Sequence, residues 1–275
     1  MKQKKIKLFA VSETTPVLTQ NFEVIANNIT LQETNKSFDI QDNNKKVISE
    51  KLIELLEANL HLGHNTNQLN PKMLPYLYTQ KNDLDIIDLV QTAQSLEEAY
   101  EFVYNAAFNK QTILFVGTKR EAKEITAFEA IRANSPYINH HWLGGLLTNW
   151  QTIQPRIKRL KNLEQKETIN VSNRISKKDG MILKRELKKL NIMFGGIKNM
   201  KETPDIIIVI DQHVEKRAIH EAKMLNIPII SIIDTNCNPD LIDIPIPGND
   251  DSSPAIKLIL SRLADAIITG NNSCI

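Results

Sequence analysis

Two nearly unbroken runs of Ile and Val constrain the fold of this chain more than any other feature. Residues 205–211 read D-I-I-I-V-I-D, and residues 227–234 read I-P-I-I-S-I-I-D, with a helical pattern at 214–225 between them. A strand that is apolar at almost every position is buried on both faces, which is typical of a parallel sheet with helices on each side. The two runs therefore predict a doubly wound α/β domain with a parallel sheet.

The rest of the chain supplies further elements of such a domain. Short apolar runs predict strands at 85–90, 112–117, 137–139 and 244–248. The last of these is expected at an edge of the sheet, because Pro245 and Pro247 have no N–H for a ladder. Amphipathic spacing predicts helices at 48–60, 92–108, 120–132 and 253–268. Gly63 and Pro71 interrupt any periodicity, so irregular chain is predicted at 61–73.

The carboxyl ends of parallel strands form the ligand edge of a doubly wound domain, and residues 117–119, Asp211 and Asp234 are predicted to meet there. One glycine stands in F-V-G-T-K-R where a phosphate loop has two, and neither G-x-G-x-x-G nor G-x-S-x-G occurs. The two aspartates could hold magnesium, although acidic strand ends are also common in helix-capping turns. We predict no catalytic residue, no metal and no cofactor. The alternative is a nucleotide- or phosphosugar-binding α/β enzyme that uses this edge.

The distribution of charge points to a polyanionic partner. Residues 151–200 hold thirteen Lys or Arg and four Asp or Glu, a local charge of +9, although the whole chain carries only +2. Two helical patterns, at 148–165 and 177–194, have a narrow apolar seam and basic outer faces. They predict an inserted antiparallel α-helical hairpin of the coiled-coil type. A solvated helical surface without a partner is the alternative explanation of the charge.

These patterns divide the chain into parts. We predict an α/β domain made of 48–147 and 201–270, interrupted by a basic helical hairpin at 148–200. Residues 1–47 are predicted to be a polar, mobile N-terminal extension, and 271–275 a tail. No run approaches the about eighteen apolar residues that a membrane span needs, so no membrane partner is predicted.

Residues 137–150, Y-I-N-H-H-W-L-G-G-L-L-T-N-W, join the α/β domain to the hairpin and contain both tryptophans. The helical spacing of Trp150 with Ile153 predicts a core position for Trp150. Trp142 could equally be a core residue or a platform on which an unpaired base stacks. The pair Gly144 and Gly145 permits close backbone approach, either to a helix or to RNA.

Several motifs in the same order identify a family resemblance. They are H-L-G-H (61–64), N-P-K-M (70–73), F-V-G-T-K (115–119), W-L-G-G-L-L-T-N (142–149), F-G-G-I (194–197), P-D-I (204–206), I-P-I-I (227–230), D-T-N-C-N-P-D (234–240) and I-P-G-N-D-D (246–251). Over residues 48–268 the chain closely resembles the bacterial-type small-subunit ribosomal protein S2 family. The resemblance implies a flavodoxin-like α/β domain with an inserted helical hairpin, bound to 16S-type ribosomal RNA between the head and body of the small subunit. It implies no catalysis and no small-molecule substrate.

The resemblance also implies partners and contacts. The partners are neighbouring small-subunit ribosomal proteins and the OB-fold ribosomal protein that captures mRNA. The predicted RNA-binding residues are Lys72, Lys119, Arg120, His140, His141, Asn149, Arg156, Lys158 and Arg159. The chain departs from the family where cations are usual, with neutral residues at Asn67, Gln68, His141 and Pro254.

The compartment is predicted from composition and one motif. The chain is rich in Ile, Asn and Lys, as expected of an AT-rich genome, and its first forty residues contain acids that transit peptides usually lack. The run I-D-I-P-I-P-G-N-D-D (242–251) is similar to plastid and cyanobacterial members of the family. A plastid-encoded protein of the chloroplast ribosome is therefore predicted. A protein of the bacterial cytoplasm and an RNA-binding regulator outside the ribosome are the alternatives.

Overall fold

A computed structural model describes residues 51–168 and 177–273 of the chain. The predicted extension at 1–47 lies outside these residues, as does the connection at 169–176. In chain order the strands are β1 (Leu62–Asn65), β2 (Leu77–Lys81), β3 (Leu84–Ile87), β4 (Ile113–Val116), β5 (Tyr137–Ile138), β6 (Ile206–Val209), β7 (Ile229–Ile233) and β8 (Ile244–Pro247). The helices are α1 (51–57), α2 (Leu89–Phe108), α3 (Lys123–Arg132), α4 (Trp150–Thr168), α5 (Lys177–Phe194), α6 (Lys216–Met224) and α7 (Ser253–Ser273).

A five-stranded sheet of order β5-β4-β6-β7-β8 forms the centre of the fold. Every neighbouring pair in it is parallel, from Phe115 beside Tyr137 at one side to Ile233 beside Pro247 at the other. All four residues of β4 and of β6 are buried, as the continuous apolar runs require. The predicted parallel α/β fold is confirmed, and β8 lies at an edge as its prolines predict.

Helices cover both faces of this sheet. On one face α2, α3 and α7 pack together, and the backbone at Gly270 lies so near α2 that an added Cβ would be 2.6 Å from the Tyr104 carbonyl oxygen. On the other face, alternate strand residues such as Leu114 and Val209 form a cluster with α6 and the start of α4. In the part of the chain that is described, no helix has the length and apolar character needed to cross a membrane.

The region before the parallel sheet differs from its prediction. Residues 61–73 were expected to be irregular, but they contain β1, and residues 84–87 belong to a separate antiparallel sheet of order β1-β3-β2. Strand β3 ends at Ile87 because the Asp88 side chain accepts the N–H of Val90 at 2.9 Å and caps α2. Strand β2 was missed, since most of it is exposed and it carries no apolar alternation.

The basic segment contains α4 and α5, which pack against each other. Both helices lie where the sequence pattern predicts them. Their roots belong to the core, because Ile153, Ile157 and Phe194 are buried in the cluster below the sheet. Farther along, Arg159 pairs with Glu186 across the two helices through contacts of 3.1 Å. A hairpin that projects from the domain stays a prediction, since the connection between the helices is not described.

Candidate nucleic-acid interface

The carboxyl edge of the parallel sheet gathers charged side chains, as predicted. The loops after β4, β6 and β7 bring Lys119, Asp211 and Asp234 together. Three further residues of this group, called the acidic cluster below, were not predicted from the sequence. These are His64 from β1 and the pair Asp250 and Asp251 from the loop after β8.

Lys119 is the central cation of the acidic cluster. Its Nζ lies 3.1 Å from Asp211, 2.6 Å from Asp250 and 2.6 Å from Asp251, and its side chain is only 15% exposed. Burial by itself would lower the pKa of Lys119, but the charge and hydrogen bond of Asp250, with Asp251 and Asp211, raise that pKa above its usual value. The ammonium group is therefore held inside the protein by carboxylates.

His64 supplies the second positive charge. Its Nδ1 lies 3.0 Å from Asp234 Oδ2, and its Nε2 lies 3.4 Å from Asp251 Oδ2. The hydrogen-bonded pairing with Asp234 raises the pKa of His64 to about 9, against the opposing effect of burial. Burial, followed by the charges of Asp211 and Asp234, raises the pKa of Asp250 to about 7. The pKa values of His64 and Asp250 are thus both raised within the same cluster.

The same residues include a set of potential metal ligands. Ligand atoms of His64, Asp234, Asp250 and Asp251 lie within 4.8 Å of one another, which suits a cation. The ammonium of Lys119, in contact with two of these carboxylates, is the cation that the structure places there. Lys119 of the F-V-G-T-K motif therefore lies where carboxylates already balance its charge.

The acidic cluster does not suit a phosphate ligand. The carboxylates repel an anion, and Lys119 has no direction left open toward one. Gly117 also serves packing, since an added Cβ would lie 2.3 Å from Ile210 Cδ1 and 2.4 Å from Thr126 Oγ1. The features that suggested a phosphate-binding enzyme from the sequence therefore have a structural explanation.

The loop between β5 and α4 is held by one buried acid, Glu221 of α6. Its carboxylate accepts the ring N–H of Trp142 at 3.0 Å and the backbone N–H of Gly145 at 2.8 Å. It also accepts the backbone N–H groups of Leu147 at 2.9 Å and Thr148 at 3.2 Å. Trp142 is only 3% exposed, so it is a core residue with a bonded indole N–H and offers no platform to a base.

The other predicted RNA-binding residues lie at the surface. Lys72 is paired with Asp240, and Asn149 accepts the Thr152 hydroxyl at 2.7 Å at the start of α4. The exposed members of the predicted set are Lys72, Arg120, His140, His141, Asn149, Arg156, Lys158 and Arg159. Lys119 differs from this group, because its side chain is mostly buried and its ammonium is paired with carboxylates of the acidic cluster.

Helix α5 carries cations that the residue predictions left out. Lys184, Arg185, Lys188 and Lys189 are all exposed. The last three of them border a shallow depression, which also contains Ile192 and Met193. The +9 charge of residues 151–200 was the signal for them. Together with Arg156, Lys158 and Arg159 of α4, these four residues are called the basic helix surface below.

Comparison with known proteins agrees with the architecture. The family model described as Ribosomal protein S2 matches residues 55–270. Small ribosomal subunit protein uS2c of Trieres chinensis is 54% identical over 219 residues, which cover 80% of this chain and 96% of that protein. The uS2c of Phaeodactylum tricornutum is 53% identical over 221 residues, covering 80% and 98%. The uS2 of Microcystis aeruginosa is 52% identical over 219 residues, covering 80% and 83%.

The residues matched by the family model include the parallel sheet and the basic segment. The resemblance read from the ordered motifs is confirmed, and with it the non-enzymatic character of the protein. The chain belongs to the ribosomal protein S2 family.

Proposed function

We propose that this protein is a structural constituent of the small subunit of a plastid ribosome, where it binds 16S-type ribosomal RNA and supports translation. The observation that carries the proposal is the basic helix surface on a chain of the S2 family. Relatives named uS2c from algae and uS2 from cyanobacteria, each above half identical, support the plastid compartment. A bacterial cytoplasmic ribosome is the alternative compartment.

The chemistry of the basic helix surface suits a sugar-phosphate backbone. Arg156 and Lys158 are exposed on α4, and among the described residues no carboxylate forms an ion pair with either. Arg159, by contrast, is held by Glu186. Phosphate contacts of this kind supply affinity and orientation without reading the base sequence. The surface is therefore suited to position the protein on folded RNA.

The other predicted contacts contribute unequally. Arg120, His140, His141 and Asn149 are exposed and remain proposed RNA contacts. An RNA contact by Lys119 stays a prediction that the geometry favours least, because its ammonium is already held by three carboxylates. The neutral Asn67 and Gln68, and likewise His141 and Pro254, add no fixed charge, so the basic helix surface carries most of the proposed attraction.

We further propose that neighbouring small-subunit proteins, and the OB-fold protein that captures mRNA, contact this chain in the assembled particle. Their contact sites are expected outside residues 151–200, where the sequence carries a net negative charge.

Sedimentation of a tagged protein tests the proposed function. Lysate is spun through a sucrose gradient at high salt, and the tag is measured against the small-subunit proteins. Stoichiometric migration with the small subunit is expected. Migration as a free protein, or with an RNA other than that of the small subunit, would favour a regulator outside the ribosome. A variant with Arg156, Lys158 and Arg159 changed to Glu serves as the charge control and is expected to leave the particle.

A further inference from the structure

Glu221 is a buried acid that joins two distant parts of the chain without a cation. The residue is only 7% exposed and belongs to α6, yet among the described residues the hydrogen bonds to its carboxylate all come from residues 142–148. The hydroxyl of Thr148 adds a longer contact of 3.4 Å. Within the described ranges, no Lys, Arg or His forms an ion pair with it. The negative charge is therefore stabilised by hydrogen-bond donors alone.

The donors require the charged form of the acid. A carboxylate offers two acceptor oxygens with about four lone-pair directions, and the donors of this loop fill them. Burial opposes the charge, but the ring N–H of Trp142 and the backbone N–H groups of Leu147, Gly145 and Thr148 lower the pKa of Glu221 below its usual value. A glutamine would keep the size of the side chain and turn an NH₂ group toward N–H donors.

The loop that Glu221 holds leads directly into the basic helix α4. Thr148 is bonded to Glu221, and α4 begins at Trp150. Gly145 turns the chain at φ 82°, a left-handed conformation that suits glycine. Since an α-helix rises about 1.5 Å per residue, Arg156 lies only about 9 Å beyond Trp150 along the axis. A small change in the loop would therefore redirect the first cations of the helix.

We propose that Glu221 is a positioning residue for RNA binding, whose carboxylate fixes residues 142–148 so that α4 presents Arg156 and Lys158 to the ribosomal RNA. Glu221 touches no RNA and acts through the loop. The inference rests on the proposed function, because it assigns Glu221 a role in the same interface. It adds a determinant of affinity that lies inside the α/β domain.

The test compares full-length Glu221→Gln with the wild type on small subunits stripped of their own S2 protein. Exchange of the backbone N–H groups of Gly145, Leu147 and Thr148 is expected to accelerate in the variant, while exchange in β6 stays unchanged. If the competent loop geometry falls to about one tenth of the population, the apparent Kd rises about tenfold. The dependence of binding on salt is expected to keep its slope, because no cation has been removed.

Two controls separate positioning from general damage. Glu129→Gln changes another buried acid, which is 2% exposed and pairs with Arg132 on α3, away from the basic helix surface. This variant is expected to leave both the Kd and the exchange at residues 145–148 unchanged. Arg156→Gln is expected to weaken binding and also to lower the salt slope by about one unit. The salt slope thus distinguishes a displaced loop in Glu221→Gln from the loss of an RNA-contacting cation in Arg156→Gln.

The outcomes are separable. If Glu221→Gln accelerates exchange in the loop and binds with an unchanged Kd, Glu221 has no positioning role. Failure of the wild-type protein to rebind stripped subunits would instead contradict the proposed function itself. Should Glu221→Gln not fold, Trp142→Phe decides, since it removes one donor and keeps an aromatic ring. A rise in Kd with an unchanged salt slope would then support the proposal, and an unchanged Kd would overturn it.

Discussion

The imidazole Nδ1 of His64 lies 3.0 Å from the carboxylate of Asp234, and this contact fastens the small antiparallel sheet to the end of β7. The backbone N–H of His64 also donates to the Thr235 hydroxyl at 3.0 Å. Gly63 permits this approach, since an added Cβ would lie 2.4 Å from Thr235 Cγ2. The two sheets are therefore joined by a charged contact beside a close backbone approach.

The stability of the protein is expected to fall as pH rises from 6.5 to 9. The pKa of His64 is about 9 in the folded protein against the usual 6.5, so the folded state holds the proton more tightly. Its contribution is complete below pH 6.5 and is lost as pH rises through 9. The loss is at most on the order of 3 kcal/mol in the free energy of unfolding, measured by urea titration.

His64→Asn is the matched variant for this pH profile and is expected to flatten it above pH 7. Asp250, whose pKa is raised to about 7 from 3.8, gives a separate decline between those two values, which the variant retains. Lys119, Asp211, Asp234 and Asp251 are the other charged groups of the same cluster, and the variant leaves all four in place. An unchanged slope above pH 7 in the variant would rule out His64 as the titrating group.

Removal of the Lys119 charge is expected to destabilise the protein strongly. Lys119→Met retains most of the side-chain volume and leaves Asp211, Asp250 and Asp251 without their shared cation. Breaking a buried ion pair from one side costs about 3–5 kcal/mol in the free energy of unfolding. Arg120→Met, at an exposed neighbour, is expected to change that free energy by less than about 0.5 kcal/mol. Equal effects of the two substitutions would contradict an internal role for Lys119.

Neutralisation of Glu186 is expected to strengthen RNA binding. The carboxylate of Glu186 contacts the Arg159 guanidinium at 3.1 Å through both oxygens, which screens that cation from phosphate. Glu186→Gln releases Arg159 and is expected to raise the salt slope of binding by about one unit, whereas Lys158→Gln lowers it by about the same amount. Filter binding or gradient rebinding over a salt series measures both. A weaker affinity in Glu186→Gln would show that the pair is needed for helix geometry.

Three glycines are expected to respond differently to alanine. Gly144→Ala is expected to be nearly neutral, because no atom lies within 4 Å of an added Cβ. Gly145→Ala places a side chain at a φ of 82° and is expected to lower the free energy of unfolding by about 1–2 kcal/mol. Gly196→Ala places a Cβ 2.1 Å from the Tyr137 carbonyl oxygen, and it should destabilise most. Urea unfolding of the three variants in parallel checks the order, and a neutral Gly196→Ala would show that the close approach can relax.

The sequence predicts the parallel sheet well because burial on both faces leaves a continuous apolar signal. Strand β2 gave no such signal, since four of its five residues are exposed. A local clue existed in Asn82 and Asp83, which adopt φ 52° and 60° in the turn between β2 and β3. Two such residues between short strands are typical of a hairpin turn. The antiparallel sheet was therefore predictable from turn chemistry and not from periodicity.

The sequence predicted where the candidate site lies better than it predicted which residues contact one another there. The rule for strand ends brings Lys119, Asp211 and Asp234 together, because it follows from topology alone. The contribution of Asp250 depends on how the last loop folds back. Glu221 gave no signal, since its donors are mostly backbone groups more than seventy residues away in the chain. A sequence pattern records side-chain types, and these contacts depend on backbone placement.

Strand β8 closes the parallel sheet with prolines at two of its four positions. An edge strand normally offers unpaired N–H and C=O groups to a strand from another molecule, and such pairing commonly starts aggregation. Pro245 and Pro247 withhold their share of those N–H groups from any incoming strand. A ribosomal protein must stay in solution between its synthesis and its incorporation into a particle. Pro245 and Pro247 are therefore expected to disfavour pairing of β8 with a strand of another molecule during that interval.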